Sequence, residues 1–244
     1  MSDTDNLRDG DPQRSPYSSA ERYEKEPKED FKHVMARLEA LLDTDVVHDV
    51  ADMGCANGEL LYHLHKRYPH WRLTGYDRKA EFLETARTFP GLADVTFTEA
   101  NLYDIEQTYD VVIATLFLPR FDEIESPLNA LLSLCRPGGY LLTTGLFNPH
   151  DIEVRALVRD NTDPEMEDAW RSDFNRHSRS RIEREFGPRV QWLDFEEVSY
   201  DGVEIPRDPN NAMRVWTMRT EEGKTLLING AWQICNQTLM TARK

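Results

Sequence analysis

The five residues Gly54-Cys55-Ala56-Asn57-Gly58 are the part of this sequence best suited to hold a ligand. A glycine has no Cβ, so backbone on either side of it can approach a bound group closely. The loop also aims free N–H groups at the start of a helix, where anions and polar groups are received. Asp52 precedes the loop and could orient a cationic group or the loop itself. Asp77 ends the next apolar stretch, where a carboxylate can accept both hydroxyls of a ribose. The same residue could instead cap the helix that follows. The loop is not the dinucleotide fingerprint, because no G-x-G-x-x-G is present, and no G-K-[ST] follows to make a P-loop.

These residues must be positioned by strands and helices in alternation. Val46, Val47, Val50 and Ala51 predict a strand before the loop, and Leu60, Leu61, Leu64 and Tyr68 recur at helical spacing after it. An amphipathic helix carrying Phe31, Val34, Met35 and Leu38 precedes them. Further strands are expected at Leu73–Asp77, around Val95 and Phe97, at Tyr109–Leu118 and at Tyr140–Gly145, with helices between. This alternation implies a parallel sheet covered on both faces. Its ligand site lies at the C-terminal ends of the strands. Beyond Phe147 the pattern changes. Residues 148–187 read as a helical cap insertion, and residues 212–230 as a β-hairpin insertion with Glu221-Glu222-Gly223 at its turn. A strand by alternation around Trp192 and Phe195 and a last strand at Thr238–Ala242 complete the chain.

Taken in order, these motifs resemble the class I S-adenosylmethionine-dependent methyltransferases. Asp52 to Gly58 is similar to that family's D-x-G-x-G-x-G motif, with Ala56 in place of the middle glycine. Glu99-Ala100-Asn101-Leu102 resembles the third-strand motif, with Asn101 where an acid commonly meets the adenine amino group. Asp110–Thr115 resembles the fourth-strand motif, and Arg136-Pro137-Gly138-Gly139 the turn before strand five. The resemblance covers about Phe31 to Phe147. It implies a Rossmann-like α/β fold with a seven-stranded, mostly parallel sheet and an antiparallel last strand. It also implies an enzyme that uses S-adenosylmethionine. The residues it assigns to that cofactor are Asp52, Gly54, Cys55, Ala56, Asn57, Gly58, Asp77, Arg78, Asn101, Leu102 and Ala114.

The acceptor is less legible. The Asn/Asp-Pro-Pro-Tyr/Phe motif of amino-group methyltransferases is absent, since Ala114-Thr115-Leu116-Phe117 stands there. That leaves an oxygen, carboxylate, nitrogen or carbon of a small molecule. His150 is the candidate general base, since an imidazole is the side chain most often used for that role; a loop histidine without function is the plainer reading. Arg176, Arg179, Arg181 and Arg184 could receive an anion, or could form i,i+4 pairs with glutamates on a solvated helix. Tyr17, Tyr23, Arg179, Arg214 and Trp216 are the candidate substrate contacts. A catalytically silent cofactor-binding scaffold is the alternative from another class, and an RNA-modifying enzyme a third.

Composition sets the remaining bounds. The chain has 244 residues and carries 44 acidic against 29 basic side chains, a net charge of −15. Such a surface repels phosphate backbones, which argues against nucleic acid as a partner. Residues 1–30 read as a mobile acidic tail and residues 31–244 as one methyltransferase domain. Cys55, Cys135 and Cys235 lack metal spacing and read as free thiols in a cytoplasmic protein, with no metal expected. No apolar run is long enough to span a membrane. The oligomeric state stays open, a homodimer among the alternatives.

Overall fold

The structure, a computed structural model, describes residues 22–159, 161, 170–209, 211 and 213–244. Its first half repeats strand and helix. Helix α1 spans Glu29–Leu41 and is followed by β1 (Asp49–Met53), α2 (Glu59–Arg67), β2 (Arg72–Asp77) and α3 (Ala80–Thr88). Next come β3 (Thr96–Glu99), β4 (Tyr109–Thr115), α4 (Glu125–Leu134) and β5 (Cys135–Gly145). Each helix buries one apolar stripe. Phe31, Val34 and Leu38 of α1 and Leu60, Leu61 and Leu64 of α2 pack on one face of the sheet. Leu128, Leu131 and Leu132 of α4 pack on the other. Acids in the first turn of α1 and bases in the last turn of α2 complement their helix dipoles.

Among the described residues the main sheet has seven strands, the first five joined by β10 (Trp192–Glu197) and β13 (Thr238–Arg243), in the order β10-β13-β5-β4-β1-β2-β3. Strands β1 to β5 run parallel. Strand β13 (Thr238–Arg243) is antiparallel to both β5 and β10 (Trp192–Glu197), as the sequence predicts for the last strand. The chain leaves β1 toward β2 and β3, then returns to lay β4 on β1's other side. That reversal opens a crevice at the C-terminal ends of β1 and β4. Arg136-Pro137-Gly138-Gly139 lies inside β5 as an irregularity: Tyr109 pairs with Cys135, and the register resumes only at Val111 with Tyr140.

The expected helical cap over 148–187 is corrected. Its described residues hold short pairings instead: β6 (Phe147–Asn148) with β9 (His177–Ser178), and β7 (Leu157–Val158) with β8 (Arg171–Ser172). The helix α5 (Arg179–Phe186) buries Ile182 and Phe186 against the sheet beside α4. It is a sheet-covering helix, because its apolar stripe matches that face. The short pairings do lie at the strands' C-terminal edge, where Asn175 N–H donates to Pro119 O at 2.9 Å.

The hairpin expected within 212–230 is present as β11 (Trp216–Arg219) and β12 (Thr225–Ile228). It closes a small apolar compartment of Leu146, Val198, Tyr200, Leu227 and Cys235. The tail boundary at residue 30 is also corrected. Tyr23 is 1% exposed and α1 begins at Glu29, so the packed domain includes residues 22–30. Residues 1–21, and with them Tyr17, lie outside the described residues.

Candidate active site

The loop after β1 is held by the two strand ends beside it. Gly54 and Cys55 both donate their N–H groups to Tyr76 O, at 2.8 and 2.9 Å. Ala56 N–H donates to Asp77 Oδ2 at 2.9 Å, and Lys79 N–H to Asp77 Oδ1 at 3.0 Å. Asp77 thus ties the loop to the segment before α3, but it does not cap that helix, whose N-cap is Lys79 with no side-chain cap bond; each oxygen keeps a further lone pair. Ala100 N–H donates to Asp77 O at 3.0 Å, which brings the end of β3 alongside. There Asn101 Oδ1 accepts from Tyr103 N–H at 3.3 Å, and Leu102 is buried. The backbone is left-handed at Gly54 (φ +72°), Ala56 (φ +49°) and Gly58 (φ +78°). At Ala56 that conformation explains why a glycine would be the easier residue.

Asp52 is the electrostatic centre of this cluster. It is 2% exposed, and its Oδ1 has no hydrogen-bond partner. Burial, reinforced by the charge of Asp77 and opposed by Lys28, pushes its pKa up to about 7. Desolvation also pushes the buried Cys55 thiol well above its ordinary value, which keeps it neutral. Asn57 is fully buried with both amide atoms unpartnered.

Phe117 is the residue that the sequence reading missed. A Cβ on Gly54 would lie 2.8 Å from Phe117 Cδ2, so the ring rests on the glycine. The available signal was an aromatic just beyond the fourth strand. Ala114 does not open on the site: it is fully buried and its carbonyl accepts from Thr143 Oγ1 at 2.6 Å. Arg78 is exposed beside Asp77.

The expected acceptor residues scatter. Tyr23 is corrected from a substrate contact to a core residue, stacked on Phe89 at 4.1 Å and donating to Asn57 O at 2.5 Å. It presents no free face, while Arg22 and Lys28 beside it reach Glu59 at 3.3 and 2.7 Å. His150 is exposed, and its ring makes no hydrogen bond among the described residues. Arg179 reaches Thr238 Oγ1 at 2.7 Å and Glu197 at 3.5 Å, not the expected Glu183. Arg181 does pair with Glu185 at 3.0 Å. Arg214 pairs with Asp208 at 3.4 Å, and Arg207 lies over the Trp216 ring at 5.2 Å. The geometry thus assembles Asp52, the loop, Asp77, Asn101 and Leu102, and leaves His150 and Arg214 on the surface.

A doubly wound sheet with this loop and these strand-end acids is the arrangement that the resemblance to class I methyltransferases implies. Comparison with known proteins agrees. Residues 51–141, less than half of the chain, match the family described as a methyltransferase domain. It is 33% identical over 106 residues to the trans-aconitate 2-methyltransferase of Shigella flexneri serotype 5b. That match spans 43% of this chain and 41% of the relative, so the likeness covers about two fifths of the relative's length.

Solved structures show the same fold. The DhpI-SAM-HEP complex superposes with a TM-score of 0.56 at 18% identity, over 87% of this chain and 86% of that one. SAM-bound CalS10, an amino pentose methyltransferase from Micromonospora echinaspora, gives 0.54 at 15% identity, over 94% and 97%. No helix among the described residues is long and apolar enough to cross a membrane.

Proposed function

We propose that this protein transfers a methyl group from S-adenosylmethionine to a small-molecule acceptor. The observation that carries the reading is the unpartnered, buried Asp52 carboxylate beside a left-handed loop whose first glycine leaves no Cβ. These residues fit the cofactor by chemistry. Asp52 would meet the cationic amino group, and the Gly54–Gly58 backbone the amino-acid portion. Asp77 would use its remaining lone pairs for the ribose hydroxyls, and Asn101 and Leu102 would receive the adenine. The bound cofactor supplies an electrophilic methyl, whose C–S bonding pair stays on sulfur as an acceptor lone pair forms the new bond.

The chain's own contribution is positioning and water exclusion, which can supply much of the rate in such a transfer. Residues around the strands' C-terminal edge, beyond β4 and β5, would select the acceptor. His150 remains a proposal as base only if that exposed loop approaches the acceptor.

The test is direct. Titration calorimetry should detect S-adenosylmethionine binding, and labelled cofactor should pass methyl to a component of a small-metabolite extract and not to RNA. Absence of cofactor binding by the folded protein would refute the reading. Binding without transfer to any metabolite would favour the silent scaffold.

A further inference from the structure

Phe117 stands where β1 and β4 part. The two strands pair in register as far as Asp52 with Ile113, and Gly54 and Phe117 follow just beyond. A doubly wound sheet receives its ligand at this divergence, outside the strands' C-terminal ends. The Cδ2–Cε2 edge of the ring lies over Gly54, 2.8 and 3.3 Å from where a Cβ would be. Phe121 meets the ring at 5.1 Å between centroids, tilted by 52°. Phe117 is half-buried, so part of its surface stays open.

The backbone that carries the ring is fixed on both sides. Leu116 is left-handed at φ +49°, a conformation that a bulky residue keeps only when its surroundings impose it. Its N–H donates to Thr144 O at 3.0 Å and to Thr144 Oγ1 at 3.1 Å, and Thr144 is fully buried. Phe117 O accepts from Arg120 N–H at 3.3 Å, which closes the short turn Leu118–Arg120. Asn175 N–H reaches Pro119 O of that turn at 2.9 Å. The ring is thus held in place ahead of any ligand, and binding costs little further ordering.

Its chemistry suits a cation. An aromatic face carries partial negative charge and attracts a positive group, most strongly where water is excluded. Other rings in this fold already have such a partner. Lys28 lies over Phe31 at 4.6 Å, Arg67 over Tyr68 at 5.9 Å and Arg243 over Tyr140 at 5.5 Å. No lysine or arginine lies over Phe117 among the described residues. The loop it rests on is flanked by two acids, Asp52, with one oxygen unpartnered, and Asp77. A crevice of that composition favours a positive ligand over a neutral one of the same shape.

We propose that the Phe117 ring contacts the positively charged sulfur of S-adenosylmethionine, and so distinguishes the cofactor from its product S-adenosylhomocysteine, whose sulfur is neutral. The ring acts on the charge. Its attraction is lost once the methyl has gone and the C–S bonding pair stays on sulfur. Phe117 is therefore a recognition and positioning residue, one that favours capture of the cofactor over retention of the product. The inference rests on the methyl-transfer reading for the identity of the cation.

The experiment is calorimetric titration of the full chain with S-adenosylmethionine and with S-adenosylhomocysteine, read as the ratio of the two affinities. The apolar contact of Phe117 is common to both ligands and cancels in that ratio. Phe117→Leu should weaken S-adenosylmethionine roughly three- to thirty-fold more than S-adenosylhomocysteine. Phe117→Tyr, which keeps the ring, should hold the ratio near that of the unaltered protein. Circular dichroism confirms folding. Where Phe117→Leu does not fold, trifluorophenylalanine in place of Phe117 serves instead. It keeps the ring's shape, withdraws electron density from its face, and should shift the ratio in the same direction. Equal weakening of both ligands in Phe117→Leu, no shift in the fluorinated protein, or a ratio in Phe117→Tyr as low as in Phe117→Leu would overturn the proposal and leave the methyl-transfer reading standing. A folded, unaltered protein that binds neither ligand would refute that reading and the proposal together.

Discussion

Ala56 N–H and Asp77 Oδ2 lie 2.9 Å apart, and through that bond the acid at the end of β2 holds the loop at the end of β1. Asp77 thus shapes the loop as well as facing the proposed ribose position. In Asp77→Asn one amide group would be a donor facing either Ala56 N–H or Lys79 N–H, leaving one of them without an acceptor. We expect a stability loss of about 1 kcal/mol in urea unfolding. Affinity for S-adenosylmethionine should fall roughly ten- to a hundred-fold by calorimetry. Unchanged affinity would remove Asp77 from the site.

Two neighbouring positions should respond in opposite directions. Gly54→Ala places a Cβ 2.8 Å from the Phe117 ring at φ +72°, so it meets both a clash and a left-handed backbone. A loss of about 2–4 kcal/mol is expected. Adding Phe117→Ala should recover the steric share only. Ala56→Gly releases an L-residue from φ +49° and should stabilise by up to about 1 kcal/mol after the entropy of the added glycine. Thermal unfolding of these three variants beside the unaltered protein decides it; a destabilised Ala56→Gly contradicts the strain at that position.

Tyr23 separates a core role from an acceptor role. Its hydroxyl bonds Asn57 O and its ring stacks on Phe89. Tyr23→Phe should cost about 1 kcal/mol, and Tyr23→Ala about 3–5 kcal/mol. Methyl transfer by Tyr23→Phe, measured below its unfolding range, should stay near that of the unaltered protein. A large loss of transfer with unchanged stability would return Tyr23 to the acceptor site.

The half of the fold bearing the motifs was legible because it obeys local rules. Apolar periodicity places α1 and α2, and the loop and strand-end acids mark the crevice. What failed depends on tertiary contact. Arg179 has a glutamate four residues on, yet the structure turns it toward Thr238 and Glu197 across the sheet edge. Tyr23 sits in a polar stretch that reads as a tail, and only the packed faces of Tyr62 and Phe89 give it a place. The residues around 148–178 carry charge and no period, because their two-residue pairings are fixed by loops after β4 and β5 rather than by their own pattern.

Asp52 makes the site pH-dependent. Its folded pKa, about 7, lies above the ordinary carboxylate value of 3.8, chiefly because it is buried. Between those two values the folded chain holds a proton that the unfolded chain has released. Stability from this residue is therefore fully present below about pH 4 and is lost as pH rises through about 7. Asp30, buried and also raised, adds a slope of the same sign. The comparison that isolates Asp52 is the unaltered protein against Asp52→Asn at each pH. The variant should gain relative stability toward pH 8, by an amount on the order of a few kcal/mol. Ligand binding should run the other way. A cationic group beside Asp52 favours the carboxylate, so S-adenosylmethionine binding below pH 7 should expel a proton, and affinity should rise with pH before levelling off. Calorimetry in two buffers of different ionisation heat reads that proton. Binding with no proton release at pH 6, or a pH profile unchanged in Asp52→Asn, would show that Asp52 does not meet the cation.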